Sequence, residues 1–125
     1  MPRKAAEVTE TELRILDVLW EGGPSIVRDI VEQVYGKHSQ SLHATVKSLL
    51  DRLEEKGFVT HDDSRHAHRF SAALDRQSFV GQQLQQLADS HFDGSFTPML
   101  LTLIERARLT RKQRDSIQKI IDGIK

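Results

Sequence analysis

At 125 residues the chain has the length of one compact domain or two small ones. It has no cysteine, which excludes disulfide scaffolds, thiolate metal sites and cysteine catalysis. Lys and Arg total 18 and Asp and Glu total 18, so a uniformly basic nucleic-acid coat is excluded and any DNA affinity must come from local placement of charge. No apolar run approaches the ~18 residues of a membrane span. Met1–Glu10 lacks the apolar stretch of a signal peptide. A soluble, cytoplasmic protein with no membrane insertion is expected. A hydrophobic content of 38% beside 29% charged residues fits a folded domain rather than a disordered one.

Residues 1–8 form a short polar arm, expected to be flexible. Thr9-Glu10-Thr11-Glu12 then has the capping-box pattern, with Thr9 at the N-cap and Glu12 at N3. Leu13, Leu16, Leu19 and Trp20 follow at helical spacing until Gly22-Gly23-Pro24, which predicts a helix over about Glu10–Glu21. Ser25 is the predicted cap of a second helix, with Ile26, Ile30, Val31 and Val34 as its apolar stripe and Gly36 as its end. A third helix is predicted from near Ser41 to Lys56, closed by Gly57. Leu42, Val46, Leu49, Leu50 and Leu53 share one of its faces, and His43, Ala44, Lys47, Ser48 and Asp51 the other. Phe58–His61 reads as a strand, Asp62–Arg65 as a turn and His66–Ala72 as the return strand. Three helices followed by a hairpin is the order of a winged helix-turn-helix, assigned to residues 9–72.

Residues 73–125 are predicted to be helical throughout. Asp75–Phe92 carries Phe79, Val80, Leu84 and Leu87 on one side, and Phe92–Phe96 breaks the run. Pro98 suits the first turn of a short apolar helix, Met99–Arg106, containing Leu100, Leu101, Leu103 and Ile104. Thr110 to Gln113 is a second capping box, opening a helix with Ile117, Ile120, Ile121 and Ile124. Three short helices cannot bury this much Leu, Ile and Phe alone. The segment is therefore read as a dimerisation domain, with Phe79, Leu84, Leu87, Leu100, Leu101, Leu103, Ile104, Ile117, Ile120 and Ile121 on its partner face. The fold class is mostly α, a winged helix plus a three-helix dimerisation module.

The third helix is the main functional candidate. Ser41, His43, Ala44, Thr45, Lys47 and Ser48 are small or polar. Small side chains let a helix approach the major-groove floor, hydroxyls reach phosphates or bases, and Lys donates to guanine. No acidic residue lies between Gln33 and Leu50, while Lys37, His38, His43 and Lys47 do. Arg65, in the hairpin turn, is a candidate wing contact to the minor groove or phosphate. His61, His66 and His68 share the hairpin and are zinc-type ligands, but one hairpin supplies too few converging groups. No metal and no cofactor is expected. No nucleophile elbow, phosphate loop or zinc-protease motif is present, so an enzyme is not expected.

Thr11–Trp20 (TELRILDVLW), Gly23-Pro24, Val27–Ile30 (VRDI), Thr45–Gly57 (TVKSLLDRLEEKG) and Arg65–Phe70 (RHAHRF) resemble the penicillinase-repressor family of the BlaI/MecI/CopY type, from about Val8 to Lys125. The resemblance implies a homodimeric transcriptional repressor whose winged helices bind an inverted-repeat operator in double-stranded DNA. It places DNA contacts at His43, Ala44, Thr45, Lys47 and Ser48, with Arg65 on the wing and Arg52 at a matching motif position, and the face reading adds Ser41 to the expected contacts. In β-lactam-responsive members a protease triggered by a membrane sensor cuts an Asn–Phe bond in the short apolar helix. The matching bond here is Thr102–Leu103, which departs from that pair. The cysteine cluster of copper-responsive members has no counterpart. Two rival readings are a winged helix used only for protein interaction, and a ligand- or metal-responsive DNA-binding regulator.

Overall fold

The computed structural model describes residues 7–63 and 68–123. In chain order they form α1 (Glu10–Gly22), α2 (Val27–Tyr35), α3 (Gln40–Glu55), β1 (Val59–Asp62), β2 (Arg69–Ala72), α4 (Arg76–His91), α5 (Phe96–Arg106) and α6 (Arg111–Asp122). The fold is mostly α, a winged helix followed by a helical C-terminal module. The chain divides into two compact units, the first ending at Gln83 and the second beginning at Leu84.

The first unit is built around an apolar interior to which every element contributes. Ile15, Leu16 and Leu19 of α1, Val27, Ile30, Val31 and Val34 of α2, and Val46, Leu50 and Leu53 of α3 meet Phe58, Val59 and Phe70 beneath the hairpin. β1 and β2 pair antiparallel from Val59↔Ala72 to Asp62↔Arg69. The pleat turns Phe70 inward and leaves Arg69 in solvent. Phe79 of α4 closes this interior. Its ring is 5.1 Å from Phe58 and 5.3 Å from Trp20, and Trp20 Nε1 donates to the Leu74 carbonyl at 2.8 Å.

Thr9 and Glu12 form the predicted capping box, each side chain accepting from the other's backbone N–H. Leu13, predicted on the apolar stripe of α1, is instead exposed, because Ile15 turns inward beside Leu16 and Leu19. Ser25 is not the cap of α2. Ile26 holds that position without a side-chain hydrogen bond. Ser25 pairs with Phe70 in an isolated antiparallel bridge, donating to its carbonyl at 3.0 Å and accepting from its N–H at 2.8 Å. Two backbone hydrogen bonds to a buried strand outweigh one side-chain cap at a helix end. Ser39 caps α3, accepting from the Leu42 N–H at 3.1 Å, so the helix opens at Gln40. Gly36 ends α2 in the left-handed conformation, at φ 76°.

In the second unit α5 opens at Phe96, three residues before Met99, because Ser95 rather than Pro98 sets the start. The Ser95 hydroxyl accepts from the Thr97 N–H at 3.3 Å. α6 has the predicted box, Thr110 with Gln113. Ala88 and Met99 are the apolar side chains buried there among the described residues.

Candidate nucleic-acid interface

α3 is held by its inner face. Val46, Leu50 and Leu53 are buried, and at about 100° per residue this puts Gln40, Ala44, Lys47, Ser48 and Asp51 on the outer side. Ser41, Thr45, Ser48 and Arg52 continue as a stripe along one flank of that side. His43 stands on the other flank, half-buried. Ser41, Ala44, Thr45, Ser48 and Arg52 are exposed. An open depression runs along the outer side, lined by His38, Gln40, His43, Ala44, Lys47, Ser48 and Asp51. At Ala44 this side carries only a methyl group, so a base edge or phosphate can come close to the helix backbone there.

The polar groups are partly pre-set. His38 Nε2 and His43 Nδ1 are 3.0 Å apart with the rings nearly perpendicular, which tethers the loop before α3 to its first turn. The Thr45 hydroxyl donates to the Ser41 carbonyl at 3.0 Å, as mid-helix threonines do, and keeps its lone pairs outward. Lys47 Nζ lies 3.1 Å from Asp51 Oδ1 and 5.9 Å from the centre of the Phe70 ring. Lys47 thus leans along the helix and covers the hairpin instead of standing free. Both partners of the ion pair are about half exposed, so releasing Lys47 from Asp51 costs little.

At the wing base, His61 Nδ1 is 2.7 Å from Glu54 Oε2, which ties β1 to the end of α3, and the His61 and His68 rings stack at 6.2 Å. Among the described residues no group of three or more His, Asp or Glu is placed to hold a metal ion. Arg65 and His66 lie outside the described residues, as does Ile124. Arg52 makes no ion pair with a described residue. The sequence expectation, which opens the helix near Ser41, leaves Gln40 outside it. Reading Ser39 as the cap would have placed Gln40 at N1, in the N-terminal turn from which recognition helices touch bases.

Of the residues expected on the partner face, Phe79 is placed in the interior of the first unit. Leu84, Leu87, Leu100, Leu101, Leu103, Ile104, Ile120 and Ile121 are between 40% and 67% exposed. Ile117 is half-buried. Thr102 and Leu103 are exposed within α5. No described helix is long and apolar enough to cross a membrane.

A family model described as Penicillinase repressor matches residues 8–123. The chain belongs to the penicillinase repressor family. The family is one of transcriptional regulators. Among relatives of this repressor-family chain, the Penicillinase repressor of Bacillus licheniformis is 18% identical over 120 residues, spanning 96% of this chain and 93% of the relative. The Methicillin resistance regulatory protein MecI of Staphylococcus aureus (strain N315) is 17% identical over 122 residues, 98% of either chain. The Transcriptional regulator BlaI of Mycobacterium tuberculosis (strain ATCC 25618 / H37Rv) is 28% identical over 105 residues, 82% of this chain and 75% of the relative.

Proposed function

We propose that this chain is a homodimeric, sequence-specific transcriptional repressor that holds an inverted-repeat operator with α3 of each protomer in the major groove. The observation that carries the reading is the outer side of α3. It is small and polar, with only a methyl group at Ala44, one releasable cation at Lys47 and no acid on the chain between Gln33 and Leu50. Lys47, His43, Thr45 and Ser48 read base edges. Ser41, Arg52 and Arg65 take phosphate or minor groove and set the register. An interaction module would offer an apolar patch on this helix instead.

The dimer forms through residues 84–125, with Leu84, Leu87, Leu100, Leu101, Leu103, Ile104, Ile117, Ile120 and Ile121 and without Phe79. Support comes from the exposure of these side chains in a unit that buries so little of its own apolar surface. Footprinting over the DNA flanking the gene tests both proposals. Two protected half-sites related by a dyad, one or two helical turns apart, are expected. A single asymmetric footprint overturns the dimeric reading.

Relief of repression follows cleavage in α5, triggered by a membrane sensor or protease. Thr102–Leu103 is the proposed bond. Thr102 Oγ1 donates to the Pro98 carbonyl at 3.0 Å inside the helix. A protease that takes extended chain therefore has to unwind α5 there first. Mass spectrometry of the repressor from induced cells is expected to return the fragment ending at Thr102. A repressor that remains intact through induction overturns cleavage.

A further inference from the structure

Five of the nine residues 106–114 are Arg or Lys and none is acidic. Arg106, Arg108, Arg111, Lys112 and Arg114 are all exposed. None of them takes part in an ion pair among the described residues, and the ion pairs found there all lie in the first unit. Yet the first unit, which carries α3, holds eleven Lys and Arg against thirteen Asp and Glu, and the second holds seven against five. The surplus of cations thus belongs to the unit that does not contain α3.

Their position raises the field further. α6 has no acid in its first turn, where Arg111 and Lys112 stand. The positive end of the helix dipole and the side-chain charges therefore add where they would ordinarily cancel. Such a concentration costs stability in the free protein and is relieved by an anion. The charged face also turns away from the apolar one, although Lys112 borders a second hollow with Leu109, Gln113, Ser116 and Ile117. At about 100° per residue, Arg111 and Lys112 lie on the side of α6 away from Ile117, Ile120 and Ile121.

We propose that the turn between α5 and α6, through Arg108, Arg111 and Lys112, is a second DNA contact that binds duplex phosphates without regard to sequence. The proposal rests on the DNA-binding reading above. Duplex DNA fits the surface better than an acidic protein does. Four of the five cations are Arg, whose guanidinium forks onto phosphate oxygens. The hollow beside Arg111 and Lys112 is completed by Asp115, Ser116 and Lys119 and has no apolar side chain, where a protein partner would seek an apolar core. DNA held by α3 is present at high effective concentration for a contact elsewhere on the same chain.

The test is fluorescence anisotropy on a 40-base-pair random-sequence duplex at several salt concentrations. It compares the full chain, the triple variant Arg108→Gln/Arg111→Gln/Lys112→Gln, and the charge-preserving variant Arg108→Lys/Arg111→Lys. At low salt the triple variant is expected to bind about tenfold or more weakly. Its plot of log K against log salt should be shallower by roughly two to three units per chain. The charge-preserving variant should keep the slope, and all three proteins should sediment and melt alike. Equal affinity and slope in the triple variant overturns the second contact. If Arg52→Gln, at the proposed phosphate contact of α3, weakens binding under those same conditions, the role of α3 stands alone. A full chain that binds no duplex at low salt overturns both readings.

Discussion

Glu12, at N3 of α1, closes the capping box with Thr9. In the fold it is also fully buried, with Lys56 Nζ at 3.0 and 3.2 Å from its two oxygens, while Lys56 donates in addition to the Glu7 carbonyl at 2.7 Å. Burial pushes the carboxyl up, but the Thr9 backbone N–H and the Lys56 ammonium outweigh it and hold Glu12 below the usual carboxylate range. A depressed folded value means that the stabilisation is complete above the unfolded pKa of about 4.3 and is lost as pH falls through the lower folded value. Lys56→Met leaves a buried carboxylate without its cation and is expected to cost about 3 kcal/mol in urea unfolding at pH 7. The deficit should shrink as pH falls through that lower folded value, below which Glu12 is protonated in both states. Lys47→Ala, by contrast, removes a half-exposed side chain. It should move the melting temperature by little more than its cover of Phe70 accounts for. Operator affinity should fall by one to two orders of magnitude, roughly 1.4–2.8 kcal/mol, with flattened preference over scrambled duplex. Equal loss on both duplexes would make Lys47 a phosphate contact and move base reading to His43, Thr45 and Ser48.

At the scale of elements, the two serines near helix starts do different work. Ser39 caps α3 with its hydroxyl, and the end it holds carries Gln40, Ser41 and His43. Ser25 acts through its backbone, as a one-residue strand on Phe70 that joins the α1–α2 connection to the hairpin. Ser39→Ala is therefore expected to cost about 1 kcal/mol in urea unfolding and to weaken DNA binding as the first turn of α3 frays. Ser25→Ala should cost less than about 0.5 kcal/mol, since the bridge hydrogen bonds remain. The reverse order would mean that the Ser25 hydroxyl, which donates to the Gly23 carbonyl at 2.9 Å, matters more than its backbone. Both residues precede an apolar run after a turn, so they look alike in sequence. What separates them is whether a strand edge passes within hydrogen-bonding distance.

For the whole molecule, the proposals turn on the second unit. Leu101→Asp with Ile120→Asp puts a carboxylate in the middle of each exposed apolar stripe. Sedimentation at tens of micromolar is expected to show a dimer for the natural chain and a monomer for this variant. Operator affinity should fall with it, because two linked half-sites act through effective concentration. A dimer that persists in the variant would place the association surface elsewhere. The zero net charge conceals two units of opposite sign, so the salt dependence of DNA binding reports on both α3 and the cations at residues 106–114.

Periodicity and caps alone were enough for the order of helices and hairpin, the two capping boxes, the end of α2 at Gly36 and Ala44, Lys47, Ser48 and Asp51 on the outer side of α3, though not Gln40 or the half-buried setting of His43, because each depends on residues within about four positions of one another. The family was legible for a similar reason, in contiguous strings such as Thr45–Gly57. Four features needed the tertiary structure. Phe79 reads as one more apolar residue on α4, and only the proximity of Phe58 and Trp20 places it in the first unit's interior. The inward turn of Ile15 in place of Leu13, the bridge at Ser25 and the burial of Glu12 against Lys56 likewise depend on partners far away in the chain. The physical reason is common to all four. Helical spacing says which side chains share a face, but which neighbour covers that face, and so which polar group is desolvated and needs a partner, is settled only when distant segments pack together.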